Sequence, residues 1–520
     1  MSYLVKQKIR GKTYVYEAVG VWDKAKKQAR QKRKYIGVLN EKTGKIEAPR
    51  KERWSKRTSF VSGVIGAAKK CSEDNGLAKC LSDAFEEKDA SRIFALATYC
   101  ATENSPMYLY ENWAYATDGI KDCVMSSQQI SGFLKRIGEN ERSREAFWRA
   151  WANLHGKNRN LVFDISSIST YSTNLLLNEF GYNRDGESLP QINVGMLFSD
   201  HPGLPLAYRI YPGSIADLST LTNLLHAMKK DYKIEHSRLV LDRGFYSANN
   251  ISLLETTGYD FIIPLPLSVK AARDLLRETE RSFDDVSSYF QFNGRTIGHV
   301  VRKIKISEKV YQAHVFTDFE RRNDETNTLL RKLEMVEKRL DGMKFKTEEE
   351  LRSFIDSVAN GMSKLFHVKK NSNNLKIERN PVEVNEYARK FGKLILVPSR
   401  ETNDRKILLE DYYRRDGVEK FFDTLKNEMD SGRGRVHSQE NFDGRLFIHM
   451  IGLIIYGEIS YRLKANGEKL HMSFPEMISN LKRLKQVYSE DGSSVSSEMT
   501  KKQKKIFEAL KIAPPTQHCY

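Results

Sequence analysis

Between Leu161 and Leu267 the chain reads LVFD (161–164), INVGMLFS (192–199), LPLAYRIYPG (204–213), DLSTLTNLLHAMKK (217–230), RLVLD (238–242), SANNISLLETTG (247–258) and FIIPLPL (261–267), in that order. Five of these are short apolar runs bounded by turn residues, the pattern of buried strands. The other two repeat their apolar residues at helical spacing. Leu218, Leu221, Leu225 and Met228 form one stripe. Ser247 starts the second helix and Gly258 stops it. Three strands, then helix, strand, helix, strand, is an α/β layout.

Outward from this stretch the pattern changes on both sides. Residues 1–57 alternate Tyr and Val with basic clusters and read as short strands around a turn at Lys42–Gly44. Residues 58–157 read as a helical domain, with Ser126 capping the helix through Ile130, Phe133 and Leu134. The core runs over 158–265 and resumes over 391–459, where GKLILVPS (392–399) returns to strand and a long helix follows from about Leu408 to Asp430. Residues 266–390 between them are charge-rich and read as an inserted domain. The segment 460–520 reads helical, with a break at Gly492–Ser497.

Composition excludes several classes. Hydrophobic residues at 40% and charged residues at 29% describe a globular chain, not a disordered one. The longest apolar run, Leu446–Gly457, is interrupted by His449. It falls short of the ~20 residues of a membrane span, so no membrane partner is expected. The N-terminus shows no apolar signal segment. Five cysteines without a Cys-x-x-Cys pair suggest reduced thiols and a cytoplasmic protein. Charge is uneven: through Arg57 there are 18 Lys/Arg against 5 Asp/Glu, an excess of 13 within a chain excess of 18. A basic head on a near-neutral body is the footprint of a polyanion partner, nucleic acid first, although a solvated arm shows the same charge.

The chemistry-bearing residues are acids. Asp164 and Asp242 each end an apolar strand, which places them at a sheet edge where α/β folds build their sites; either would equally serve to cap a loop. A third acid lies in DYYRRDGVEKFFDTLKNEMD (411–430). At about 100° per residue, Tyr412, Arg415, Glu419 and Lys426 fall within a stripe about 60° wide, beside Val418, Phe421, Phe422 and Leu425. A salt-bridged surface row gives the same stripe. Three carboxylates suit two Mg²⁺ ions, with Mn²⁺ as a substitute. Such a pair lowers the pKa of an attacking water or 3′-hydroxyl and stabilises the leaving oxygen at phosphorus. The absence of Cys/His clusters argues against zinc. Arg415 and Lys426 would face phosphates, and Tyr412 would donate a hydrogen bond to one. Arg433, Arg435 and His437 in SGRGRVHS suit further phosphate contact, or a solvated turn.

With these residues in place the sequence resembles the DDE transposases of bacterial and archaeal insertion sequences, insertion-sequence family four and its relatives. The likeness runs from about Leu161 to Tyr456 over LVFDISSIS, GLPLAYRIYPGSIADLSTL, LVLDRGFYS and YYRRDGVEKFFDTLKNEMDSGRGRVHSQENFDGRLFIHM, and includes the family's Tyr-x2-Arg-x3-Glu-x6-Lys signature. The resemblance implies a ribonuclease-H-like mixed sheet whose catalytic, metal-holding residues are Asp164, Asp242 and Glu419, with the insertion between the second and third. It implies cleavage at terminal inverted repeats and strand transfer into double-stranded target DNA by a homodimer on paired ends, in a prokaryotic, nucleoid-associated setting. In some relatives a tryptophan holds a flipped base. Here all five Trp precede the catalytic segment, so Tyr or Phe would do any stacking in the insertion. Two rival readings share the residues: a nuclease that cuts without joining, and a silent or domesticated DNA-binding protein.

Overall fold

The computed structural model describes residues 2–9, 12–23, 28–39, 44–47 and 59–514, except 158, 173, 182–187, 200–202, 216, 235–236, 372–373, 403, 429–437, 468–469 and 489–493. It divides into two compact units: Met1–Phe133 with Ile459–Tyr520, and Leu134–Glu458.

The first unit opens with a four-stranded antiparallel sheet of β1 (Ser2–Ile9), β2 (Lys12–Asp23), β3 (Gln28–Leu39) and β4 (Ile46–Glu47), in that order. Its strands are longer than the local pattern suggests, because β2 and β3 pair along nearly their full length around one bulge at Val15/Tyr16. β5 (Ser59–Val61) leads into α1 (Gly63–Asp74), α2 (Leu77–Ala84), α3 (Glu87–Thr102) and α4 (Tyr110–Ala116). Apolar faces of these helices bury Ile93, Leu96, Tyr99 and Tyr110, and the Tyr110 hydroxyl donates to the Cys123 carbonyl at 3.0 Å. Cys71, Cys80, Cys100 and Cys123 are buried thiols outside any disulfide among the described residues. α5 (Ser127–Glu139) begins with the expected Ser126 cap: Ser126 Oγ accepts from Gln129 N–H while Gln129 Oε1 accepts from Ser126 N–H.

The second unit holds a nine-stranded mixed sheet. Trp151 on α6 (Glu141–His155) is fully buried and donates its indole N–H to the Pro205 carbonyl. β6 (Asn160–Ser169), β7 (Gln191–Ser199) and β8 (Pro205–Pro212) follow as an antiparallel meander. Then come α7 (Asp217–Lys230), β9 (Arg238–Leu241), α8 (Ala248–Thr257) and β10 (Asp260–Pro264). β9 runs parallel to β6 and β10 parallel to β9. The order β8-β7-β6-β9-β10 is the ribonuclease-H-like arrangement. Ser247 caps α8 through the Asn250 N–H, and Gly258 ends it at φ 78°, a left-handed position glycine takes without a Cβ penalty.

After α9 (Lys270–Glu278), the strands β11 (Tyr289–Phe292), β12 (Arg295–Ile306) and β13 (Lys309–Asp318) extend the same sheet. A satellite subdomain follows: α10 (Phe319–Leu340), α11 (Glu348–Val358), the hairpin β14 (Phe366–Asn371) and β15 (Asn374–Arg379), and α12 (Pro381–Ala388). It has a core of its own around Leu333, Ile355, Leu365 and Phe366. The chain rejoins the sheet at β16 (Lys393–Pro398), antiparallel between β10 and β13.

Next are α13 (Arg405–Tyr413), α14 (Asp416–Asp423) and a π-helical stretch over Thr424–Glu428. The single long helix expected from about Leu408 to Asp430 is thus interrupted. Around Arg415 it tightens, with Arg415, Gly417 and Val418 N–H groups bonding three residues back, and past Thr424 it widens. α15 (Gln439–Asn466) carries Phe447 against Phe147 and Trp148. By length and composition α15 is apolar enough to cross a membrane, but 78% of its most apolar window is buried in the protein, as in a core helix. The tail, read as helical, contains α16 (Phe474–Leu481) and α17 (Lys501–Leu510). Between them β17 (Lys485–Tyr488) joins β18 (Ser494–Ser496) and β5 in a small sheet.

Candidate active site

Asp164 is mid-strand, not at a strand end. β6 continues through Ser169 because β7 pairs with it to the end, while β9 covers it only as far as Phe163↔Leu241. The residue after this last pair is an aspartate in both cases, Asp164 within β6 and Asp242 just past β9. Parallel neighbours in register point to the same face, so Asp164 and Asp242 stand side by side where the parallel ladder stops. Asp164 is 1% exposed, and its Oδ1 accepts from the Ile165 N–H at 2.9 Å. Asp242 caps the turn Arg243–Phe245, accepting from the Arg243 N–H at 2.7 Å. Beneath them Gly195 opposes Ile165 on β7; a Cβ there would lie 2.9 Å from ring atoms of Phe163 and Tyr211.

The interrupted helix lies against these strands. Asp404 caps α13 through the N–H groups of Lys406 and Ile407. Asp411, buried on α13, accepts from Asn160 Nδ2 at 3.0 Å and pairs with Arg238 at 3.1 Å, which ties the helix to the first residues of β6 and β9. Four residues on, Arg415 reaches the far end of β9: its Nη1 lies 3.0 Å from Asp242 Oδ1. Its Nη2 lies 3.5 Å from Glu419 Oε1, and its guanidinium carbon sits 5.4 Å from the Tyr412 ring centroid.

The electrostatics centre on Arg415. Burial alone disfavours its charge, yet Tyr412, Asp242, Asp164 and Glu419 more than reverse this and raise its pKa above the ordinary value. Its Nε is buried without a hydrogen-bond partner among the described residues. Burial pushes the Tyr412 phenol up to about 12, with Arg415 opposing and Asp242 reinforcing the shift. Tyr412 is therefore a hydrogen-bond donor at neutral pH.

The structure brings Asp164, Asp242, Tyr412 and Arg415 together and links Glu419 to them through Arg415. The Glu419 side chain is 58% exposed at the rim. Lys426 is half-buried on the π-helical stretch. Arg433, Arg435 and His437 lie outside the described residues. Among the described residues no three His, Cys, Asp or Glu side chains are grouped closely enough to hold a metal ion. The donor chemistry nevertheless fits a hard divalent cation: the paired aspartates offer carboxylate oxygens, and the acids already attract one buried cationic group. Asp411 is the residue sequence reasoning missed. Its only local signal is its position four residues before Arg415.

Residues 156–455 match the family described as the Transposase DDE domain. The chain belongs to the DDE transposases. Members of this family generally use divalent metal ions. No curated protein sequence matches the chain. Among solved structures this DDE transposase is similar to a piggyBac transposase synaptic complex with hairpin DNA, at 10% identity and a TM-score of 0.36, over 83% of this chain and 79% of that one.

Proposed function

We propose that this DDE transposase cleaves DNA at the terminal inverted repeats of an element of insertion-sequence family four type and transfers the freed strand to target DNA. Mg²⁺ is the expected ion, with Mn²⁺ as a substitute, and Asp164, Asp242 and Glu419 are the residues that would hold it. The observation that carries this reading is the Asp164/Asp242 pair where the parallel ladder of β6 and β9 stops, with Arg415 seated on it, inside the span matched by the family. The basic N-terminal segment and the helices after it would supply DNA contact or dimerisation on paired ends.

The geometry supports the following roles. When bound, a divalent cation supplies the Lewis acidity that activates a water or 3′-hydroxyl and stabilises the leaving oxygen. Asp164 is held rigid by burial on a strand that β7 pairs along its length. Arg415 keeps its charge and offers a planar fork of donors to a phosphate. Tyr412 keeps its proton and would donate to a non-bridging phosphate oxygen. Asp411 positions Arg415 and Glu419 by fixing the helix on the sheet.

The test uses the full chain with a DNA fragment carrying the sequences that flank its own gene, Mg²⁺ or Mn²⁺, and mapping of ends on a sequencing gel. Discrete cuts and joined products that vanish with Asp242→Asn support transposition. Cuts without joining support a nuclease. Specific binding without any cleavage supports a DNA-binding remnant.

A further inference from the structure

The N-terminal sheet has two chemically different faces. Cross-strand pairing sets Tyr3 opposite Ala18, Val5 opposite Tyr16 and Gln7 opposite Tyr14; on the other side of β2, Tyr16 faces Tyr35, Ala18 faces Arg33 and Gly20 faces Gln31. Because side chains alternate, all of these share one face. On it Tyr35 lies 5.6 Å from Tyr16 and 6.0 Å from Tyr14 between ring centroids. Tyr35 and Tyr3 are 39% and 47% exposed. Beside the rings, Arg33 donates to Gln31 Oε1, and Gln31 donates to the Tyr3 hydroxyl. A Cβ on Gly20 would meet nothing within 4 Å, so the space above that position is open. Lys6 and Lys34 fall on the reverse face with Val15 and Glu17.

An exposed cluster of rings on a sheet needs a partner with apolar or π surface. The charge around it selects the partner: the first 57 residues carry 18 Lys/Arg against 5 Asp/Glu. A basic segment attracts a polyanion, and aromatic rings beside an arginine and amides match nucleobases. Bases in a duplex are already stacked on one another, so their faces are closed to the tyrosines; only an unpaired strand offers them. We propose that the face bearing Tyr3, Tyr14, Tyr16 and Tyr35 binds single-stranded nucleic acid by stacking bases on its rings, with Arg33 and Gln31 contacting base edges or phosphate. A duplex has contacts available only through phosphates, which suit the lysines of the reverse face. This face shares no residue with the aspartate site, so its failure leaves the cleavage reading untouched, and the converse holds.

The test is fluorescence anisotropy of the full chain with a fluorescein-labelled thymidine oligonucleotide, its uridine counterpart, and a duplex of unrelated sequence. The double variant Tyr14→Ala/Tyr35→Ala is expected to weaken single-strand binding by roughly tenfold or more per ring removed and to leave duplex binding unchanged. Tyr14→Phe/Tyr35→Phe keeps the rings and is expected to retain binding. Equal affinity for thymidine and uridine strands supports stacking on either sugar; a preference for one names the natural strand. Unchanged single-strand binding in the Ala variant, or equal loss in the Phe variant, overturns the proposal. Photocrosslinking of wild-type protein to a 5-iodouracil strand guards against a misfolded variant: adducts on peptides from β1–β3 support the platform, and adducts only elsewhere refute it.

Discussion

Arg415→Gln separates metal binding from catalysis in opposite directions. In the wild-type protein the guanidinium lies 3.0 Å from Asp242 and 3.5 Å from Glu419, where it neutralises acids that a divalent cation would otherwise engage. A unit charge at ~4 Å is worth about 1 kcal/mol in bulk water and about 4 kcal/mol at an effective dielectric constant near 20. The two side chains are 13% and 20% exposed, so the pair lies between those limits. Taking about 2 kcal/mol, loss of the competing cation tightens divalent binding to the DNA-free protein by roughly 10- to 30-fold. The same change removes the charged fork proposed to hold phosphate, so cleavage falls. Titration of DNA-free protein with Mn²⁺ by calorimetry reads the first effect and single-turnover cleavage the second. Equal or weaker Mn²⁺ binding in the variant would refute the assignment of Arg415 as the group that competes with metal for Asp242.

Asp411→Ala should lower the melting transition of the catalytic unit by several degrees. Losing a buried acceptor of two charged or polar donors costs about 2 kcal/mol, below the range for a fully buried pair because Arg238 is partly exposed and rehydrates, and scanning calorimetry checks it. The same variant should reduce kcat more than KM, since Asp411 fixes the helix but does not touch substrate. Stability should also fall as pH drops below about 6.5, the unfolded value of histidine. Burial holds His299 near 3, helped by His314 and Arg405, and holds His314 near 4. His299 Nε2 lies 3.0 Å from His314 Nδ1, and both rings stay neutral in the fold, so the unfolded chain takes up more protons down to those folded values. A melting-temperature profile between pH 4 and 7 should therefore slope upward, and more shallowly in His299→Gln, where His314 alone of the pair still contributes. Gly195→Ala forces a Cβ to 2.9 Å from two rings and should cost about 1–3 kcal/mol by denaturant titration.

Much of the core was legible because strand, helix and cap signals are local. The runs ending at Asp164 and Asp242, the Ser247 and Gly258 boundaries and the Ser126 cap all arise within a few residues. The continuation of β6 past Asp164 was not, because ISSIS carries serines that look exposed. They are buried in partnership with β7, where Ser167 donates to Asn193 at 3.0 Å. The breaks in the helix around Arg415 and Thr424 have no proline to announce them. The tail reads helical because the strand pairing of Lys485–Tyr488 depends on Ser59–Val61, more than 400 residues earlier. The stripe of Tyr412, Arg415 and Glu419 was visible from spacing. Asp411 was not, since only Asn160 and Arg238, distant in sequence, show what it does.

The most direct test of the aspartate pair as a cation site is Fe²⁺-directed backbone cleavage of the full-length protein with ascorbate and peroxide, read by mass spectrometry. Cuts clustered near residues 164 and 242, competed by Mg²⁺ and lost in Asp164→Asn, are the predicted result. Cuts elsewhere, or cuts at these positions that persist in Asp164→Asn/Asp242→Asn, would contradict the account.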